Sequence, residues 1–155
     1  MISAGRSVSP SQEVAGAPGF PNGDRQSRSG SGLAPAVILL VEDDFVLRGA
    51  LSELLREEGY AVECAANGIE ALRRLNQTPR PALVLLDIML PHMDGLTFRA
   101  AQLALSAVAD VPVIVISAVG LGNAVGLSFT RTFQKPLDTI QLLASIRETL
   151  KPPVP

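Results

Sequence analysis

The 155-residue chain is poor in the residues that build redox, zinc and disulfide chemistry: it has one cysteine, Cys64, one histidine, His92, and no tryptophan. A single cysteine excludes an internal disulfide and a Cys-rich zinc site, and a single histidine argues further against zinc. Aromatic residues make up 4% against 47% hydrophobic residues overall, so any core must be aliphatic, built from Val, Leu, Ile and Ala. No apolar run approaches the roughly 20 residues needed to span a bilayer. The start, Met1 to Ser11, lacks the basic segment and apolar stretch of a secretory signal. The formal charge of −2 gives no electrostatic case for nucleic acid or an anionic membrane as a partner. The expectation is a soluble cytoplasmic domain with neither of those partners.

Residues 1–35 differ from the rest. Ser, Gly and Pro fill 17 of these positions, and the apolar residues between them have no period. Such a segment buries too little surface to offset its ordering entropy, so a disordered tail is expected there. From Ala36 the pattern changes. Val37–Val41, Leu83–Leu86 and Val111–Ile116 are short, continuous apolar runs that suit strands buried on both faces. Tyr60–Cys64 and Thr130–Gln134 are weaker strand candidates, suited to sheet edges.

Helical patterns fill the gaps. Leu47, Leu51, Leu54 and Leu55 mark a helix from about Asp44 to Glu58, which Gly59 stops. Asn67 and Glu70 have the spacing of a helix cap and its acidic partner, ahead of a helix carrying Ile69, Leu72 and Leu75. Gly95 to Ala107 makes a third helix. Asp138 caps a last one bearing Ile140, Leu143, Ile146 and Leu150, and Pro152-Pro153 ends it. Strands alternating with helices imply an α/β fold, a doubly wound, five-stranded parallel sheet over residues 36–151, with 152–155 as a short tail. The order 2-1-3-4-5 is inferred from the fold type. In such sheets ligands bind beyond the carboxyl ends of the strands.

Chemistry-bearing residues fall at those ends. Glu42, Asp43 and Asp44 follow the first strand, Asp87 the third, Ser117 the fourth, and Lys135 the fifth. Taken singly, each has a plain reading: Asp44 caps a helix, Asp87 is a turn residue, Ser117 a loop residue and Lys135 a solvated charge. Together, at the ends of four different strands, they describe a site. Clustered carboxylates repel unless a cation joins them, and such oxygen donors suit Mg²⁺, which leaves coordination positions for a phosphoryl group. Asp87 could then act as a carboxylate nucleophile on phosphorus, with Lys135 and Ser117 contacting phosphoryl oxygens.

These segments resemble the receiver domain of two-component response regulators. The resemblance runs through Ile38–Asp44, Leu85–Gly95, Val113–Ala118 and Gln134–Pro136, and covers residues 36 to about 150. It implies a flavodoxin-like fold and roles residue by residue. Asp87 matches the phospho-acceptor, and Asp43 a direct Mg²⁺ ligand, with Glu42 acting through water. The backbone carbonyl of Met89 matches the third protein ligand. Ser117 matches the switch hydroxyl and Lys135 the lysine that contacts the phosphoryl group. The peptide before Pro136 matches a position that is often cis. Pro91, Asp94 and Gly95 shape the loop after Asp87, with Gly95 permitting a turn into the third helix. His92 reads as an exposed loop residue, Cys64 as a small core filler, and Met89 and Met93 as packing and loop residues.

The resemblance implies a stand-alone response regulator in a phosphorelay. It would be phosphorylated by a sensor histidine kinase or a histidine phosphotransfer protein and would signal to a downstream protein. It would not be an enzyme beyond its own Mg²⁺-dependent phosphorylation and dephosphorylation. One departure stands out: Ser117 to Lys135 is shorter than in typical receivers by about one helical turn. The stretch carries three glycines, so the fourth helix is expected to be short or degenerate. Thr132 stands where the family's switch aromatic is expected, and the neighbouring Phe133 points to the other side of its strand. A second reading is a receiver-like protein-binding module that is not phosphorylated. A third, an aspartyl-nucleophile phosphatase, is disfavoured because Met89 stands where a second Asp is wanted.

Overall fold

A computed structural model describes residues 32–121 and 126–152. Five parallel strands, β1 (Val37–Val41), β2 (Ala61–Ala65), β3 (Leu83–Asp87), β4 (Val113–Ser117) and β5 (Arg131–Gln134), form one sheet in the order β2-β1-β3-β4-β5. Four helices connect or follow them: α1 (Phe45–Glu57), α2 (Gly68–Leu75), α3 (Gly95–Ala104) and α4 (Thr139–Thr149). The three apolar runs are the three inner strands, and every residue of each is buried. The two weaker candidates are the edges. β5 is largely exposed, which explains its polar composition.

Strand alternation divides the core in two. Leu39, Val41, Val84, Leu86, Val113 and Val115 face α2 and α3, where Ala71, Leu75 and Phe98 meet them. Ile38, Leu40, Leu83, Leu85, Ile114 and Ile116 face α1 and α4, against Leu51, Leu55, Leu142 and Ile146. Cys64 is half-buried and packs against this second layer, as a small core filler should. Phe133 joins the same layer, whereas Thr132 beside it is exposed.

Caps set the helix starts. Asp44, Asn67, Asp94 and Asp138 each accept a backbone hydrogen bond from the first turn of α1, α2, α3 and α4 respectively. The Glu70 carboxylate reaches back to the N–H of Ala66, one residue before the cap. Gly59, at φ 93°, ends α1 in the left-handed region that favours glycine.

Several expectations need correction. Ile69 and Ile140 do not join the core: both sit in first helical turns at the loop end of the sheet and are 58% and 80% exposed. α3 stops at Ala104 rather than Ala107, because the buried Gln102 amide donates to the carbonyls of Val108 and Val111 and holds the following chain in a turn. Gly95 does not serve a turn through its backbone angles. It serves close approach, since a Cβ there would lie 2.5 Å from the carbonyl oxygen of Asp87. Between β4 and β5 no helix occurs among the described residues; residues 122–125, and residues 1–31 of the tail expected over 1–35, lie outside them. Leu121 and Phe129, on either side of that gap, pack against the α2–α3 layer. Arg99 of α3 is buried, lies over the Phe129 ring and donates to the carbonyl of Ser128.

Replacing Gly95 by Ala is expected to destabilise the fold by about 1–3 kcal/mol, because the contact is to backbone that cannot yield cheaply. Gly49→Ala, in the exposed middle of α1 with nothing within 4 Å, should stabilise by about 1 kcal/mol. Urea unfolding of the two variants checks both signs.

Candidate phosphorylation site

Sheet register alone assembles the site. Val41 pairs with Leu86, so the next residues, Glu42 and Asp87, emerge side by side from β1 and β3. Asp87 pairs with Ile116, which places Ser117 one residue further along β4. The Lys135 backbone N–H then donates to the Ser117 carbonyl at 2.9 Å, fixing Lys135 at the same level. The peptide after it, Lys135-Pro136, is cis.

One ammonium joins the acidic residues. Lys135 Nζ donates to Asp87 Oδ2 at 2.7 Å and to Glu42 Oε2 at 2.9 Å. Glu42 is fully buried and Asp87 nearly so. The second oxygen of each is also occupied: the N–H of Asp44 donates to Glu42 Oε1 at 3.2 Å, and the N–H of Met89 donates to Asp87 Oδ1 at 3.0 Å. Met89 therefore reaches the site through its backbone, while its side chain is exposed. Asp43 differs. Its side chain is exposed, and it accepts no hydrogen bond among the described residues. Glu42, Asp43 and Asp87 each bring a carboxylate oxygen within 4.8 Å of the others, an oxygen-only donor set able to hold a hard divalent cation. Ser117 is buried, and its hydroxyl accepts the N–H of Val119 at 3.2 Å.

The electrostatics follow the burial. Glu42 is raised above the usual carboxylate range, first by burial and then by the Asp87 charge, against the lowering effect of the Lys135 hydrogen bond. For Lys135 burial acts to lower the pKa, but the hydrogen bonds and charges of Asp87 and Glu42 outweigh it and hold the ammonium above its ordinary value.

The loop after Asp87 closes over α2 and leads into α3. Gly95 N–H donates to the Ile88 carbonyl, and Gly68 N–H to that of Met93. His92 is exposed at φ 64° and takes no part in the cluster. One residue escaped the sequence reading. Arg48 Nη1 donates to the carbonyl of Glu42 at 2.6 Å and of Asp43 at 3.2 Å. The only signal for it was a basic residue in the first turn of a helix that follows an acidic loop.

Because the folded pKa of Glu42 lies above its unfolded one, the native state binds the extra proton first. Stability in chelator should therefore fall as pH rises from about 4.5 through the folded value. Glu42→Gln should flatten that slope in urea unfolding measured across the window.

The chain as a whole is similar to known proteins. Residues 38–147 match the response regulator receiver domain. The chain is 38% identical over 119 residues to a transcriptional regulatory protein, a CpxR homolog, of Haemophilus influenzae, an alignment covering 74% of this chain and 50% of that protein. It is 33% identical over 117 residues to sporulation initiation phosphotransferase F of Bacillus subtilis, covering 73% of this chain and 92% of that one. The chain thus spans about half the length of the first relative and nearly all of the second. Among solved structures it resembles the receiver domain of a sensor histidine kinase from Pseudomonas aeruginosa with a magnesium ion coordinated in the active-site cleft. That likeness has a TM-score of 0.67 and 29% identity, and covers 74% of this chain and 97% of the other. The family match, running through β1, β3, β4 and Lys135, places the chain in the response regulator receiver domain family of two-component signalling.

Proposed function

We propose that Asp87 accepts a phosphoryl group from a histidine kinase or a histidine phosphotransfer protein and holds it as an acyl phosphate. The observation that carries this reading is the Asp87 carboxylate itself: nearly buried, at the end of β3, held by Lys135 on one oxygen and the Met89 N–H on the other, beside the open carboxylate of Asp43. In the transfer, an Asp87 oxygen forms a bond to phosphorus while the bond from phosphorus to the donor's imidazole nitrogen breaks, and the imidazole leaves with its electron pair.

The residues divide the remaining work. When Asp87 becomes an acyl phosphate its carboxylate charge is lost, and the Lys135 ammonium becomes available to a phosphoryl oxygen. Asp43, whose carboxylate is exposed, Asp87 and the Met89 carbonyl serve as direct ligands of a cation, with the fully buried Glu42 acting through water. Mg²⁺ held there would supply positive charge against the transferring phosphoryl oxygens. Ser117 donates its hydroxyl proton to a phosphoryl oxygen, and as the hydroxyl swings toward that group it gives up the bond it accepts from the Val119 N–H, so the turn after β4 shifts. That movement is the signal a protein partner reads. The chain turns over no external substrate; it promotes only its own phosphorylation and dephosphorylation. It works in the cytoplasm.

Incubation with a small phosphodonor and Mg²⁺ should give an acid-stable, base-labile adduct by intact mass, absent from Asp87→Asn. An unlabelled wild type, or label that persists in the variant, sinks the reading and favours a receiver-like binding module. Hydrogen exchange across residues 117–135 should change with a phosphoryl mimic, and Ser117→Ala should blunt the change. Unchanged protection in the wild type counts against the switch.

A further inference from the structure

We infer that Arg48 is a positioning residue for the cation site, acting through the main chain of the acidic pair; this rests on the phospho-acceptor reading above. Arg48 lies in the first turn of α1, and its guanidinium turns back toward the β1–α1 junction. It donates from Nη1 to the carbonyl oxygens of Glu42 and Asp43, the two residues that precede the helix cap. Those contacts leave the carboxylates untouched. Asp43 accepts no side-chain hydrogen bond among the described residues, and Glu42 keeps its bonds to Lys135 and Asp44.

The arrangement separates two tasks that a lysine or arginine in an acidic cluster usually mixes. Lys135 neutralises carboxylates directly. Arg48 instead fixes the peptide groups that carry them, so the Asp43 side chain leaves from a backbone whose carbonyls cannot rotate freely. A ligand presented from a fixed backbone loses less conformational freedom when it binds an ion. The sign of the effect is diagnostic. As a bare positive charge, Arg48 would oppose a nearby cation, and its removal would tighten binding. As a clamp, its removal weakens binding.

Phe45 completes the device and explains its own exposure. It is 79% exposed, yet its ring lies 5.6 Å from the Arg48 guanidinium carbon. An aromatic face at that distance attracts the cation and helps hold the guanidinium in place. Phe45 thus serves the clamp rather than the core.

The test titrates full-length protein with Mg²⁺ alone, followed by amide chemical shifts, and separately measures phosphodonor labelling against Mg²⁺ concentration. Arg48→Met should raise the half-saturating Mg²⁺ about tenfold in both assays, while labelling at saturating Mg²⁺ stays near wild type. Arg48→Lys, which can still donate to one carbonyl, should recover part of the loss. Phe45→Leu, at an exposed position that spares the fold, should raise half-saturation about two- to threefold. Unchanged or tighter Mg²⁺ binding in Arg48→Met overturns the inference while leaving the role of Asp87 intact, and so does a failure of Arg48→Lys to rescue. A wild type that binds Mg²⁺ but takes no label overturns the acceptor reading alone. A wild type that binds no Mg²⁺ overturns both.

Discussion

The ammonium of Lys135 shared between Asp87 and Glu42 is the interaction on which the site rests, and it joins residues 93 and 48 positions apart in the chain. Two buried carboxylates side by side would repel, and each would be costly to hold ionised away from water. A cation between them offsets that cost, provided it arrives with the right geometry. The geometry is supplied by backbone rather than by side chains. β1, β3 and β4 pair in parallel register, and the hydrogen bond from the Lys135 N–H to the Ser117 carbonyl fastens β5 to the same level. The apolar sheet below exists, from the site's point of view, to keep four strand ends in line.

Polar contacts around the cluster fill the oxygens of two carboxylates and spare the third. Glu42 and Asp87 each spend one oxygen on Lys135 and the other on a backbone N–H. Asp43 spends neither among the described residues, and its main-chain carbonyl is held by Arg48. The cluster is thereby asymmetric: two carboxylates are preset by the fold, and one is left to respond.

Most of this was legible in the sequence because parallel sheets put their chemistry at strand ends, and strand ends can be read from where apolar runs stop. Val41 before Glu42, Leu86 before Asp87 and Ile116 before Ser117 mark such boundaries. The errors have a common physical source. Ile69 and Ile140 fit a helical period but stand in first turns, where the helix has run past the sheet and no layer covers it. The end of α3 depended on Gln102 reaching carbonyls six and nine residues ahead, which no local pattern encodes. Arg48 was missed for a similar reason: it acts on carbonyls, and backbone acceptors leave no residue type behind to read. Gly95 was flagged for the wrong property, since a glycine needed for space looks the same in sequence as one needed for its angles.

That space has a mechanical meaning. With no side chain at Gly95, the first residue of α3 is seated against the carbonyl of Asp87 and the backbone of Ile88, and its N–H is bonded to the Ile88 carbonyl. There is no compressible layer between the acceptor's own peptide and the start of the helix. A cushion of methyl groups would absorb a small displacement of Asp87; bare backbone against bare backbone passes it on. The acceptor strand and α3 are therefore coupled through backbone contact, and the middle of that helix carries Arg99, whose guanidinium holds the Ser128 carbonyl on the chain leading to β5.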